Sequence, residues 1–179
     1  MFHRTERLLL RPAWPEDWEM ILWGIGDERV VRNLARAPWP YLPEHAREFA
    51  GRGQDPRLPA FLLTLPEDQG SRLIGCAGLG ETASGVEIGY WIAQPHWGRG
   101  YATEGARGVL EVARLIGHRR IEGRHFLDNP ASGRVLRKLG FVPTGETGIL
   151  QSCGRAAPSA AVRYTLDLES EHAMPAQAA

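Results

Sequence analysis

The chain has 179 residues, a length that fits one domain at about 100–200 residues each and suffices to bury a core without disulfide or metal support. At 43% apolar, 23% charged and 8% aromatic residues, it lies outside the disordered, collagen-like and coiled-coil classes. Its 21 basic and 21 acidic residues cancel, so no long-range field draws it to nucleic acid or to an anionic membrane.

Cys76 and Cys153 are too few for a disulfide framework and lack zinc-ligand spacing. The N-terminal apolar run Leu8-Leu9-Leu10 is too short for a signal peptide, and no run approaches the roughly 20 apolar residues of a membrane span. These features predict a soluble, cytoplasmic protein with no metal, nucleic-acid or membrane partner.

In chain order, residues 6–11 read as a first strand closed by Pro12. Helical stretches follow over about 15–24, with Pro15 in the first turn, and over about 27–36. The prolines of Ala37-Pro38-Trp39-Pro40-Tyr41 exclude a helix there, and a short helix is expected near 44–50. Three strands come next, near 60–65, 72–79 and 86–93. The first two are joined by Pro66-Glu67-Asp68-Gln69-Gly70-Ser71 as a hairpin. From Tyr101 the period changes from 2 to 3.6. Ala102, Ala106, Val109, Leu110, Ala113 and Ile116 form an apolar stripe that ends at Gly117. A strand near 120–126, a helix near 130–139 and a short strand from Phe141 lead to the clean alternation of 160–168. No linker or repeat divides residues 1–168, and 169–179 read as a frayed tail. This order predicts a mixed sheet with helices on both faces.

The stretch Trp97-Gly98-Arg99-Gly100-Tyr101-Ala102-Thr103 joins a strand to the long helix. Two glycines one residue apart let successive N–H groups converge, and the helix start adds free donors and a positive dipole end. Such a turn suits a phosphate or pyrophosphate. A dinucleotide fingerprint fits poorly, because Thr103 stands where a third Gly or Ala belongs. Gln94-Pro95-His96-Trp97 also separate the turn from its strand, although Glu122 could mimic the ribose-binding acid.

Several ordered motifs, Ile88-Gly89-Tyr90-Trp91-Ile92-Ala93, Trp97 to Glu104, Asn129-Pro130-Ala131-Ser132 and Lys138-Leu139-Gly140-Phe141, resemble those of the GNAT N-acetyltransferases. Thr5-Glu6-Arg7-Leu8-Leu9-Leu10-Arg11-Pro12 resembles the opening of the ribosomal-protein N-terminal acetyltransferase branch, the RimJ/RimL type. The resemblance spans about residues 5–168. It implies an α/β (α+β) fold with a mixed, mostly antiparallel sheet of six to seven strands. It also implies acetyl-coenzyme A as cosubstrate and an amine acceptor, either a protein N-terminus or a small molecule, and is compatible with a homodimer. By the same resemblance, the pyrophosphate would lie on the amides of Trp97, Gly98, Arg99, Gly100, Tyr101 and Ala102. Trp97 stands where many relatives carry Gln or Arg. The pantetheine arm would pair with the strand edge near Ile92, and Asn129 would contact it. Asn129 before Pro130 is equally a helix N-cap, worth about 1 kcal/mol with no ligand.

Acetyl transfer needs a neutral amine, whereas α-amines (pKa about 8) and lysines (about 10.4) are mostly protonated at pH 7. Glu87 is the leading candidate base, as an unpaired carboxylate on a central strand, and Glu122 is the reserve. The alternative for Glu87 is an ion pair with an arginine. An oxyanion donor is implied at the backbone near Ile92. The tyrosine that many relatives place seven residues after the Asn is Leu136 here. Ser132 is the alternative acid, or else a hydrogen-bonding residue on the helix face. Cys76 reads as core packing and His96 as a surface residue, and Trp39-Pro40-Tyr41 is a candidate wall for the acceptor cleft. The competing class is a non-catalytic coenzyme A-binding module.

Overall fold

A computed structural model describes residues 1–67 and 70–169. Asp68 and Gln69 of the expected hairpin turn, and the expected tail from residue 170 on, lie outside the described residues. Strand β1 (His3–Arg4) pairs with β2 (Leu9–Arg11) in a small hairpin. Its turn is held by the Thr5 hydroxyl, which accepts from the Leu8 N–H at 3.1 Å. The strand expected over 6–11 is therefore confined to Leu9–Arg11, and the residues before it form the turn of a hairpin with 3–4.

A short 3-10 turn over Pro15–Asp17 runs into α1 (Trp18–Ile25), followed by α2 (Glu28–Val31) and α3 (Pro43–Gly51). Helix α2 begins where Asp27 accepts from the Arg29 N–H, but stops well short of the expected Arg36. Its end is tied to a segment distant in sequence: the Ser152 hydroxyl donates to the Val31 carbonyl at 3.0 Å, beside the Leu34 N–H at 2.8 Å, and Arg155 Nε donates to the Arg32 carbonyl at 2.7 Å.

Strands β3 (Ala60–Glu67), β4 (Gly70–Thr82) and β5 (Gly85–Ile92) form an antiparallel meander. Helix α4 (Tyr101–Leu115), β6 (Arg120–Phe126), α5 (Pro130–Lys138), β7 (Val142–Leu150) and β8 (Ser159–Asp167) complete the described chain. The sheet has eight strands in the order β1-β2-β3-β4-β5-β6-β8-β7, and β5 with β6 is its parallel pair. That is one strand more than the six to seven expected, because the N-terminal segment supplies two.

Helices cover both faces. On one, α4 and α5 pack Ala106, Val109, Leu110 and Leu136 against Leu63, Ile74, Ile88, Ile92 and Ile121. On the other, α1, α2 and α3 pack Ile21, Ile25, Val31, Ala46 and Ala50 against Leu62, Leu73, Cys76 and Trp91. The alternation read along β5 is thus realised, with Ile88 and Ile92 in one core and Trp91 in the other.

The seam between β5 and β6 places the site. Its register holds at one pair, Glu87 with Glu122. Beyond it β5 stays with β4 as far as Gly75 opposite Ile92, and β6 stays with β8 as far as Phe126 opposite Ala161. The two halves of the sheet therefore part, leaving the far end of β5 without a neighbour on that side.

Candidate active site

A cleft of about 470 Å³ opens at this parting, within the range of small-molecule sites. Ala93 N–H donates to the Ile74 carbonyl at 2.8 Å, so by strand alternation the Ile92 N–H points away from β4 into the gap. The Ile92 carbonyl is taken: the Trp97 indole N–H donates to it at 2.6 Å. Trp97 thus ties the loop to the strand end while its ring stays exposed.

The cleft's other wall is the start of α4. Gly98 (φ 75°) and Gly100 (φ 81°) both adopt the left-handed conformation, which costs a residue with a Cβ about 1–2 kcal/mol. Gly100 is the N-cap and has no side chain to cap with, so the first-turn amides of α4 keep free donors beside the cleft. Gly98, Gly100, Tyr101, Ala102, Trp97 and Ile92 all line the cleft, as do Asn129 and Ser132 from α5. Arg99 is not on that wall; its carbonyl accepts from Arg7 Nη1 at 3.1 Å.

Arg7 was missed in the sequence reading. Its guanidinium lies 4.6 Å from the Tyr101 ring centre and pairs with Glu104. Glu104 also accepts from the Thr5 hydroxyl and the Arg7 N–H, both at 2.7 Å. The first hairpin is therefore clamped to the first turn of α4, directly behind the glycine loop. Arg134 and Lys138, four residues apart on α5, also reach the cleft, a spacing that marked them as neighbours on one helix face.

His96 is a correction. It is 7% exposed rather than a surface residue, because the Gln94–His96 turn folds it under the loop beside Tyr101. Burial, with Arg99 nearby, holds its imidazole below the ordinary range, so the ring is neutral at pH 7. His96 still lines the cleft, whereas Trp39-Pro40-Tyr41 does not; Tyr41 packs with the second core and against His45. Cys76 is core as expected, and burial pushes its thiol up to about 12.

The expectation of an unpaired Glu87 is also overturned. Arg124, one position beyond Gly123 on the neighbouring strand, donates to both Glu87 oxygens at 2.9 and 2.5 Å. This hydrogen bonding raises the Arg124 guanidinium further above its ordinary value. Neither Glu87 nor Glu122 lines the cleft, and Glu122 accepts from the Ser84 hydroxyl at 2.7 Å. Between Glu87 and Trp91, however, Gly89 is exposed, and nothing lies within 4 Å of where its Cβ would sit. The sheet face toward α1–α3 is open at that point.

Asn129 caps α5 as read, accepting from the Ser132 N–H at 3.3 Å. Leu136 is 1% exposed, packed on Gly123 and Phe141, so that position faces core. The Ser132 hydroxyl instead meets Tyr90 of β5, whose hydroxyl lies 2.9 Å from Ser132 Oγ and 3.3 Å from the Ser132 carbonyl. Burial pushes Tyr90 up to about 12, against the pull of that hydrogen bond. The signal for Tyr90 was present in the β5 alternation, which sends it toward α5 with a hydroxyl that needs a partner.

Residues 7–142 match the model of the acetyltransferase (GNAT) domain. The uncharacterized N-acetyltransferase YoaA of Bacillus subtilis (strain 168) is 30% identical over 148 residues, covering 79% of this chain and 82% of its own. The uncharacterized N-acetyltransferase p20 of Bacillus licheniformis is 26% identical over 147 residues, covering 79% and 82%. A GNAT-family acetyltransferase structure from Bacillus anthracis superposes with a TM-score of 0.78 at 23% identity, over 94% of this chain and 99% of that one. RimL, described as a ribosomal L7/L12 alpha-N-protein acetyltransferase in complex with coenzyme A, superposes with a TM-score of 0.74 at 17% identity, over 96% and 100%. At those identities the two structures establish a shared fold.

Proposed function

The chain belongs to the acetyltransferase (GNAT) domain family, and on that footing we propose that it moves an acetyl group from acetyl-coenzyme A to a primary amine by direct attack. The observation that carries this reading is the convergence of two unsatisfied stretches of backbone on one cleft: the uncapped first turn of α4 and the unpaired edge of β5. The residues suit the cosubstrate. Amides of Gly98, Gly100, Tyr101 and Ala102 would hold its pyrophosphate, whereas the Trp97 N–H is spent on the Gln94 carbonyl at 3.2 Å and Arg99 lies off that wall; Arg134 and Lys138 would add positive charge on the facing wall. The inward N–H of Ile92 would hold the acyl oxygen as it gains charge, and Asn129 would contact the pantetheine arm beyond its capping role. Bound there, the cosubstrate supplies the acyl thioester.

Ser132 is assigned to the departing sulfur, for which it can donate a hydrogen bond. Proton removal from the amine is assigned to cleft water, because both Glu87 oxygens are engaged by Arg124 and are not presented to an amine. Glu87 then serves to lock β5 to β6. The open face over Gly89 supports entry of the amine from the α1–α3 side, and a protein α-amine or a small-molecule amine fits this reading. A reaction fed by acetyl-coenzyme A fits a cytoplasmic site, and one catalytic domain over residues 1–168 suffices for it.

Thermal unfolding tests the proposal. Acetyl-coenzyme A at about 100 times its dissociation constant is expected to stabilise the protein by about 2.7 kcal/mol, and NAD to leave it unmoved. Gly100→Asp, which adds backbone strain and sets a carboxylate where phosphate would lie, is expected to abolish the shift. A shift with NAD alone overturns the reading. Binding without turnover across peptide and small-amine panels turns it into a non-catalytic coenzyme A module. Mass spectrometry of cellular N-termini with and without the gene then separates the acceptor classes.

A further inference from the structure

We infer that Tyr90 is a positioning residue for acyl transfer: its hydroxyl, bonded to Ser132, turns the Ser132 proton into the cleft and reinforces it against the sulfur that leaves. This rests on the acetyl-coenzyme A reading above. Two hydroxyls 2.9 Å apart hold two protons, and the bond between them uses one. In one arrangement Ser132 donates to Tyr90, and Tyr90 donates to the Ser132 carbonyl at 3.3 Å, so both protons are spent inside the protein. In the other, Tyr90 donates to Ser132 Oγ and the Ser132 proton is free on a residue that lines the cleft.

Negative charge on a sulfur in the cleft selects the second arrangement. Each hydroxyl there polarises the next, so the donor that meets the sulfur is stronger than a lone serine. Tyr90 suits this part because its ring is packed with the core around Ile88 and Ile92, which fixes the direction of its O–H. It also keeps its proton across the neutral and mildly basic range. The bookkeeping of bonds closes without an extra reactant. The amine nitrogen bonds to the acyl carbon, the C–S bond breaks, and its electron pair stays on sulfur as a thiolate held by Ser132 O–H. The proton shed by the amine reaches the sulfur through solvent, and neither hydroxyl ends a turnover with a changed proton count.

The test titrates bound coenzyme A, following thiolate absorbance in the ultraviolet, for the wild type, Tyr90→Phe, Ser132→Ala and the double variant. A free thiol titrates near 8.5, and the bound thiol is expected below that in the wild type. Tyr90→Phe is expected to weaken the thiolate's hydrogen bonding by about three- to tenfold, moving the titration up by about half a unit to one unit. Ser132→Ala is expected to move it at least as far, and the double variant no farther than Ser132→Ala. Turnover is expected to follow, with kcat falling about three- to tenfold in Tyr90→Phe at unchanged KM, and Ser132→Thr keeping the dependence on Tyr90. A Tyr90→Phe titration superimposable on the wild type, or losses from the two variants that multiply, overturns this inference alone. Failure of the wild type to bind coenzyme A in calorimetry overturns the acetyl-coenzyme A reading, and this inference with it.

Discussion

The seam between β5 and β6 is sealed at one end and open at the other. At the sealed end the backbones pair at Glu87 and Glu122, and the side chains finish the join with a two-point contact between Glu87 and Arg124. At the open end the same strands have lost each other. The Ile92 N–H faces the gap, and the polar side chains, Tyr90 and Ser132, pair with each other beside it rather than bridging the strands. Polar groups that find partners hold the sheet together, and those left short of a partner become the means of binding. The two glutamates read in the sequence as candidate bases stand at the sealed end, while the cleft begins about three residues farther along β5, at Tyr90.

The contrast can be broken most strongly at Gly89, between the two ends. Gly89→Leu meets open space at its Cβ in the free protein and carries its side chain into the open face. It is expected to raise the acceptor KM by about tenfold or more while cofactor affinity, measured by calorimetry, stays within twofold. An unchanged acceptor KM would move the amine's route to another face.

A smaller effect is expected at the sealed end. Glu87→Gln keeps the shape but gives up the charged contact to Arg124, so stability should fall by about 1–3 kcal/mol in urea unfolding. Turnover should stay within about tenfold. A loss of 10²–10⁴ that recovers at high pH, as the amine deprotonates itself, would restore Glu87 as the base.

The smallest effect concerns acid. Burial works against the charged form of Glu104, but the Thr5 hydroxyl and the N–H and guanidinium of Arg7 outweigh it and hold the carboxyl below its ordinary 4.5. A lowered carboxyl contributes its stabilisation above the unfolded value and loses it as pH falls through the folded one. Folding stability should therefore keep the Glu104 contribution down to about pH 4.5 and lose it below. Glu104→Gln should remove that step from a series of urea unfolding curves taken across the acid range.

Legibility in the sequence followed the range of the interaction. The α4 stripe, the β5 alternation, the cap at Asn129 and the helix-ending Gly117 (φ 90°) are local patterns, and each was readable. The early end of α2 was not, and the side chains bonded to the carbonyls there stand about 120 residues away, at Ser152 and Arg155. Glu87 and Arg124 are 37 residues apart and meet across a parallel pair whose register no turn fixes. His96 looked exposed because a polar residue in a Pro-containing loop is usually so; only the fold of the Gln94–His96 turn puts it inside.

The contact between Arg7 and Glu104 carries a thermodynamic obligation. If ordering the first hairpin against α4 favours the cofactor-ready shape of the glycine loop, then occupancy of that loop must favour the ordered hairpin by the same factor. Residues 3–11 stand behind the cleft and none lines it. Their amide hydrogens should nonetheless exchange more slowly once coenzyme A is bound, and anything that tethers or unravels that strand pair will be felt as a change in cofactor affinity.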